Sequence, residues 1–158
     1  LVNPENDKEI IYAFDKIIEG ISVAAEDIPI IYPVHPRIKV RLLEQEKKPK
    51  NLHIVDSLPY LQFNWLLQNS MGVVTDSGGI TEEATFMGIP CITMRENTER
   101  PETVEVGTNV LIGQNTTELS KLLSKIKNRE WKDAKVPHLW DGHAGRRILE
   151  VLLTIKLT

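Results

Sequence analysis

Residues 72–90 read GVVTDSGGITEEATFMGIP, and this stretch decides the fold. The apolar residues 72–75 are typical of a short buried strand, which runs straight into the polar, glycine-containing residues 76–79. Residues 80–87 favour a helix, and Gly88-Ile89-Pro90 marks its end. The stretch therefore predicts a strand, a tight turn and a helix in direct succession, which is the unit from which parallel α/β sheets are built.

The same alternation of short apolar runs and amphipathic segments extends in both directions along the chain. Further strands are predicted at residues 28–32, 52–55, 91–94 and 109–112. Helices are predicted at residues 10–21, 37–46, 60–69 and 101–106, and around residues 148–155. Asn115 and Glu118 resemble a capping box, which predicts that a further helix begins there. This pattern predicts an α/β fold: a Rossmann-like parallel sheet with helices on both faces. In such sheets ligands bind at the carboxyl ends of the strands.

Composition limits the class of protein. The chain has 158 residues, 41% of them apolar, and a formal net charge of −3, which favours one folded domain over residues 1–158. Without a basic excess we expect no nucleic-acid partner. The longest apolar run, residues 28–34, is far shorter than the ~20 residues of a membrane span, and no signal peptide is evident, so we expect no membrane association and a cytoplasmic location. Because the chain begins at Leu1 rather than Met, we expect it to be a piece of a longer protein.

Cys91 is the only cysteine, which excludes an internal disulfide and a cysteine metal cluster. It begins a predicted buried strand and has no cationic neighbour in the sequence, so we expect it to be structural and unreactive. The histidines at positions 53, 138 and 143 have no spacing typical of a metal site. No metal ion and no other cofactor is expected.

The turn Ser77-Gly78-Gly79 is the strongest candidate for ligand binding. Glycines at the start of a helix let a ligand approach the free backbone N–H groups, where the helix dipole favours a phosphate. Neither a Walker loop nor the dinucleotide-binding glycine fingerprint is present. A tight turn in which Ser77 only caps the helix explains this motif equally well.

Two carboxylates follow one turn later in the same helix. Glu83 would face the same ligand as the turn, and a carboxylate suits the two hydroxyl groups of a ribose. Glu82 is interpreted as a solvated carboxylate, because consecutive helical residues point about 100° apart.

Four further residues are candidates for contact with a ligand. His35 follows the first strand between prolines, which would display the imidazole at the edge of the sheet, although a loop histidine without a role explains it as well. Arg95 and Arg100 follow the fourth strand, where a guanidinium could clamp a phosphate or simply pair with neighbouring glutamates. Phe63 has the spacing of a core residue, but a base could also stack on it.

Taken together, these segments resemble the C-terminal half of UDP-N-acetylglucosamine 2-epimerases. The resemblance is carried by TDSGGITEEA at residues 75–84, by Gly88-Ile89-Pro90, by residues 95–107 with TERPE, by YPVHP at 32–36, by YLQF at 60–63 and by WDGHA at 140–144. It spans nearly the whole chain. A His-Arg pair that the family usually has before Glu-Asn is missing, since only Glu5-Asn6 is kept, and Gln62 and Thr81 replace the commoner Pro and Gln.

The resemblance implies one domain of a two-domain, glycosyltransferase-B-like enzyme whose active site lies between the domains. It implies that UDP leaves the sugar of UDP-N-acetylglucosamine and is added back with the configuration at C2 inverted. The acids and bases that move the C2 proton would belong to the other domain, so this chain alone would be inactive. The full-length protein would be a homodimer.

The resemblance also implies a role for each site residue. Ser77, Gly78 and Gly79 would hold the diphosphate, and Glu83 the ribose hydroxyls. The uracil site would be formed by Phe63 and the backbone near Leu58. His35, the catalytic candidate on this chain, and Arg100 would face the nucleotide sugar.

Two other functions remain compatible with the residues alone. The chain could be the donor-binding domain of a nucleotide-sugar glycosyltransferase, which would need an acceptor. It could also be a flavodoxin-like interaction module, which would bind no UDP and would leave the Ser-Gly-Gly turn unexplained.

Overall fold

The computed structural model describes residues 18, 20–21, 27–34, 36, 39 and 49–155. The strands are β1 (Ile30–Val34), β2 (Leu52–Asp56), β3 (Val73–Thr75), β4 (Cys91–Thr93) and β5 (Asn109–Leu111). The helices within these residues are α1 (Tyr60–Gln68), α2 (Gly78–Met87), α3 (Pro101–Glu105), α4 (Thr116–Lys127) and α5 (Ala144–Thr154). The elements alternate as predicted, and the predicted cap of α4 is confirmed, because Asn115 Oδ1 accepts from the Glu118 amide at 3.0 Å. The helices predicted at residues 10–21 and 37–46 lie mostly outside the described residues.

The strands pair in parallel. Ile30 of β1 lies opposite Leu52 of β2, and Val74 of β3 lies opposite Ile92 of β4, which in turn lies opposite Val110 of β5. Among the described residues no strand pairing joins β1 to β3, so the strands form a two-stranded and a three-stranded sheet. Side chains from both sheets nevertheless pack against the same apolar cluster. The predicted parallel α/β class is therefore confirmed, although the described strands pair in two separate sheets.

Helices cover both faces of the three-stranded sheet, because alternate strand residues point to opposite sides. On one face, the main cluster joins residues of β1 and β3–β5 to α4 and to Ile21; it includes Ile30, Val74, Ile92, Val110, Leu119, Leu122 and Ile126. On the other face, a second cluster joins β3 and β4 to α1 and α2; it includes Phe63, Leu67, Val73, Ala84, Met87 and Cys91. The predicted arrangement of helices on both faces is confirmed.

Helix α5 differs from the other amphipathic helices. Its periodicity predicts a buried apolar face, yet Ile148, Val151 and Leu152 are each about 60% exposed, and no described element covers them. The loop before α5 is fixed by Arg147, whose guanidinium binds both carboxylate oxygens of Asp141 at 2.9 Å. This bond lowers the pKa of Asp141 to about 2.

In the described part of the chain, no helix has the length and apolarity to cross a membrane.

A buried chain of polar side chains connects the sheet to α3. Thr93 Oγ1 donates to Asn109 Oδ1 at 2.6 Å, and Asn109 Nδ2 donates to Thr103 Oγ1 at 3.1 Å. Thr103 Oγ1 donates in turn to the carbonyl oxygen of Arg100 at 2.7 Å. Because Thr93, Asn109 and Thr103 are at most 2% exposed, every one of these bonds replaces a lost bond to water.

We predict that Asn109→Ala lowers the free energy of unfolding by about 1–3 kcal/mol, since it leaves the buried Thr93 hydroxyl without its acceptor. Urea unfolding measures the loss, with the exposed Asn128→Ala as the matched control. Equal losses for both variants would show that the buried chain contributes nothing.

Candidate functional site

A cavity of about 430 Å³ opens where β2 and β3 end. Its lining consists of Leu58, Tyr60, Phe63, Ser77, Gly79, Ile80 and Glu83. Two short segments supply all of these residues: residues 58–63, which lead into α1, and residues 77–83, which begin α2. Five of the residues singled out from the sequence, namely Leu58, Phe63, Ser77, Gly79 and Glu83, thus meet in one place.

The N-terminus of α2 forms one side of the cavity. Ser77 is the N-cap residue in an extended conformation, but its hydroxyl makes no capping bond. The first backbone bond of the helix runs from the Thr81 amide to the Ser77 carbonyl oxygen at 3.3 Å. The amides of Gly78, Gly79 and Ile80 therefore have no helical partner, and none among the described residues. These three N–H groups and the Ser77 hydroxyl, which are without partners in the described part of the chain, favour an anion here together with the positive end of the helix dipole.

The two glycines keep the space above this helix end open. A Cβ atom added to Gly78 would meet nothing within 4 Å, and one added to Gly79 would reach only Ser77 Oγ at 4.0 Å. Gly107 is the opposite case, because a Cβ there would lie 2.7 Å from the Thr103 carbonyl oxygen. Packing within the described residues thus explains the glycine at position 107 but not those at positions 78 and 79, where the space above the helix end is open.

The opposite side of the cavity is apolar and aromatic. Phe63 is half-buried and packs against the second core cluster, which confirms its interpretation as a core residue, and it also lines the cavity. Tyr60, which is 67% exposed, lies about one turn earlier in α1 and was not singled out from the sequence. The aromatic spacing of three residues is the signal that could have found it. Flat aromatic rings suit the face of a nucleobase.

Glu82 and Glu83 point in different directions, as consecutive helical residues must. Glu83 lines the cavity, whereas Glu82 Oε1 accepts a hydrogen bond from Arg100 Nε at 2.5 Å. The interpretation of Glu82 as a simply solvated carboxylate is therefore wrong, and its side chain is only 38% exposed. The hydrogen bond to Glu82 and the charge of that carboxylate raise the pKa of Arg100.

The remaining predicted residues are less directly connected to the cavity. Arg100 is not part of the lining and lies against Glu82 instead. Arg95 is exposed and forms no ion pair with any described residue. His35 lies outside the described residues. In β1, burial and, after it, the charge of Asp76 raise the pKa of Tyr32.

Cys91 lies beneath the site, fully buried at the start of β4. Burial raises the pKa of its thiol to about 12, and a hydrogen bond with Thr93 and the charge of Lys132 only partly oppose this. Lys132 is a cationic neighbour that only the tertiary structure brings close. The expected structural role agrees with this burial.

We predict that Cys91 in the folded chain reacts with a thiol reagent at pH 8 at least a hundredfold more slowly than in urea, because almost no thiolate is present and the sulfur is buried. Time courses of absorbance with a disulfide reagent measure both rates. Complete labelling of the folded chain within seconds would contradict this.

The match to known proteins is extensive. Residues 3–153 match the sequence profile described as UDP-N-acetylglucosamine 2-epimerase. The chain belongs to this family. The epimerase of Methanocaldococcus jannaschii is 43% identical over 145 residues, which are 86% of this chain and 38% of that protein. An epimerase of Escherichia coli is 36% identical over 147 residues, which are 89% of this chain and 39% of that protein.

Solved structures of this epimerase family have the same fold as the chain. The M. jannaschii enzyme in complex with UDP-GlcNAc and UDP superposes with a TM-score of 0.72 at 41% identity, covering 89% of this chain and 40% of that one. The Neisseria meningitidis epimerase bound to UDP-GlcNAc gives a TM-score of 0.67 at 28% identity, covering 89% of this chain and 41% of that one. The chain thus spans about two fifths of the length of these epimerases.

Proposed function

We propose that residues 1–158 form the C-terminal nucleotide-sugar-binding domain of an enzyme that interconverts UDP-N-acetylglucosamine and UDP-N-acetylmannosamine. The observation that carries this proposal is the cavity between α1 and the open N-terminus of α2. One side offers N–H and hydroxyl donors to an anion, and the other offers aromatic surface to a base. The bound ligands in the related epimerase structures support the same ligand for this chain.

UDP fits the order of groups along the cavity. The diphosphate would accept hydrogen bonds from Ser77 and the amides of Gly78 and Gly79. Glu83 follows Gly79 by four residues and therefore lies on the same side of the helix, about 6 Å further along, where the ribose hydroxyls would donate to its carboxylate. Uracil would then reach Phe63 and the backbone near Leu58.

In the proposed reaction, a base removes the C2 proton while the bond between C1 and the diphosphate oxygen breaks, which gives UDP and an unsaturated sugar. Re-addition of UDP with protonation at C2 from the other face gives the epimer. Negative charge grows on the leaving diphosphate. Fixed donors at the start of α2 stabilise that charge without reorganisation, and this is the contribution that the described residues can make. His35, which follows β1, remains our candidate for a catalytic contact on this chain.

The proposal includes a second domain that supplies the groups acting at C2. The exposed apolar face of α5 supports it, since such a surface is normally covered by protein. We also propose a cytoplasmic homodimer for the full-length protein, and no nucleic-acid partner. The match to the epimerase family disfavours the glycosyltransferase alternative.

Calorimetric titration with UDP tests the binding site. We predict that Ser77→Ala and Arg100→Ala each weaken UDP binding roughly tenfold to hundredfold. Each variant removes a charge-assisted hydrogen bond to the diphosphate that would be worth about 1.5–3 kcal/mol. Ser124→Ala and Arg146→Ala, on the exposed surfaces of α4 and α5, are the matched controls. If the controls weakened binding as much as Ser77→Ala, the site would lie elsewhere.

The reaction is tested by incubating the full-length protein with UDP-N-acetylglucosamine and no acceptor. We expect UDP-N-acetylmannosamine from the full-length protein and none from residues 1–158 alone, with proton NMR identifying the product. A requirement for an acceptor would favour a glycosyltransferase. Turnover by the 158-residue chain would contradict the assignment of the C2 chemistry to another domain.

A further inference from the structure

We propose that Glu82 is a positioning residue that holds the Arg100 guanidinium ready for the diphosphate. This inference rests on the proposed function. Arg100 Nε donates to Glu82 Oε1 at 2.5 Å, and Arg100 Nη1 donates to the Glu99 carbonyl oxygen at 3.1 Å. A guanidinium has five N–H donors. These bonds occupy two of them, so three remain without a partner among the described residues.

The backbone of Arg100 is fixed independently of its side chain. Its amide donates to Thr98 Oγ1 at 3.0 Å, and its carbonyl oxygen accepts from Thr103 Oγ1 at 2.7 Å. Thr103 belongs to the buried polar chain that continues to Asn109. The side chain is therefore held at its base by the bonds to Thr98 and Thr103, and at its guanidinium by the bond to Glu82. Fixing both ends restricts the rotatable bonds between them.

Glu82 also connects Arg100 to the proposed diphosphate site. Both Glu82 and the free amides of Gly78 and Gly79 belong to α2, and Glu82 lies only one turn beyond Gly78. The guanidinium is thereby attached beside the helix end that would bind the anion. The bond through Nε leaves both Nη2 donors available, and a guanidinium edge of this kind suits phosphate oxygens.

A purely electrostatic role and a positioning role of Glu82 predict opposite effects on UDP binding when its carboxylate is removed. A carboxylate this close to a bound diphosphate repels it, so removing the carboxylate would strengthen UDP binding if charge were all that mattered. If Glu82 positions Arg100, removal of the Glu82 carboxylate leaves the Arg100 side chain unrestrained. The ligand must then immobilise this side chain, and UDP binding weakens.

The test is calorimetric titration of the 158-residue chain with UDP and with uridine, which lacks the diphosphate. For Glu82→Ala we expect UDP affinity to fall about threefold to tenfold and uridine affinity to stay unchanged. Glu82→Gln keeps an oxygen that can accept from Arg100 Nε, so we expect affinity within about twofold of the unmodified chain. In an Arg100→Ala background, Glu82→Ala should weaken UDP binding no further, because the side chain that Glu82 positions is absent. Glu150→Ala, which breaks the exposed pair with Arg146, is the control.

The outcomes separate this inference from the proposed function. If the unmodified chain bound no UDP, the proposed function and this inference would both fail. If it bound UDP but Glu82→Ala bound UDP equally well or more tightly, only the positioning role would fail. An equal loss for UDP and uridine, or a loss in Glu82→Gln as large as in Glu82→Ala, would likewise overturn it.

Discussion

Three backbone N–H groups at the start of α2 have no partner among the described residues, and the candidate site depends on their being held in place. Their position is fixed by the packing of the buried side of α2. Thr81, Ala84 and Thr85 of α2 are buried, and Gly107 approaches so closely that any side chain there would collide with Thr85. The strand that precedes α2 is paired in parallel with β4. Packing on the far side of the helix thus presents unsatisfied donors to the cavity at a defined place.

The parallel α/β class could be predicted from the sequence because each element carries its own local signal. The errors have physical causes. The strand β1 was predicted from residue 28, but the Ile28 carbonyl oxygen accepts from the Asn51 side chain at 2.9 Å, and pairing begins at Ile30 opposite Leu52. The helix α2 begins at Gly78 rather than at residue 80, because the tertiary fold outweighs the low helix propensity of two glycines. For α5, amphipathic spacing predicts an apolar face but cannot tell what covers it.

The candidate site was partly predictable for the same reason. Ser77, Gly79 and Glu83 stand within one short segment whose local pattern indicates anion binding, and Phe63 stands at the start of another. The pair between Glu82 and Arg100 had no such signal, since eighteen residues separate its members. Where Arg100 lies depends on the buried chain through Thr103, which sequence spacing does not reveal.

The central claim is that UDP binds with its diphosphate on the N-terminus of α2. Titration of the ¹⁵N-labelled chain with UDP, followed by amide NMR, tests it most directly. Amides at the start of a helix are sensitive to a bound anion, so the signals of Gly78, Gly79 and Ile80 should shift most, while those of α4 should remain in place. Saturable UDP binding that leaves these three amides unmoved and shifts a different surface would contradict the account.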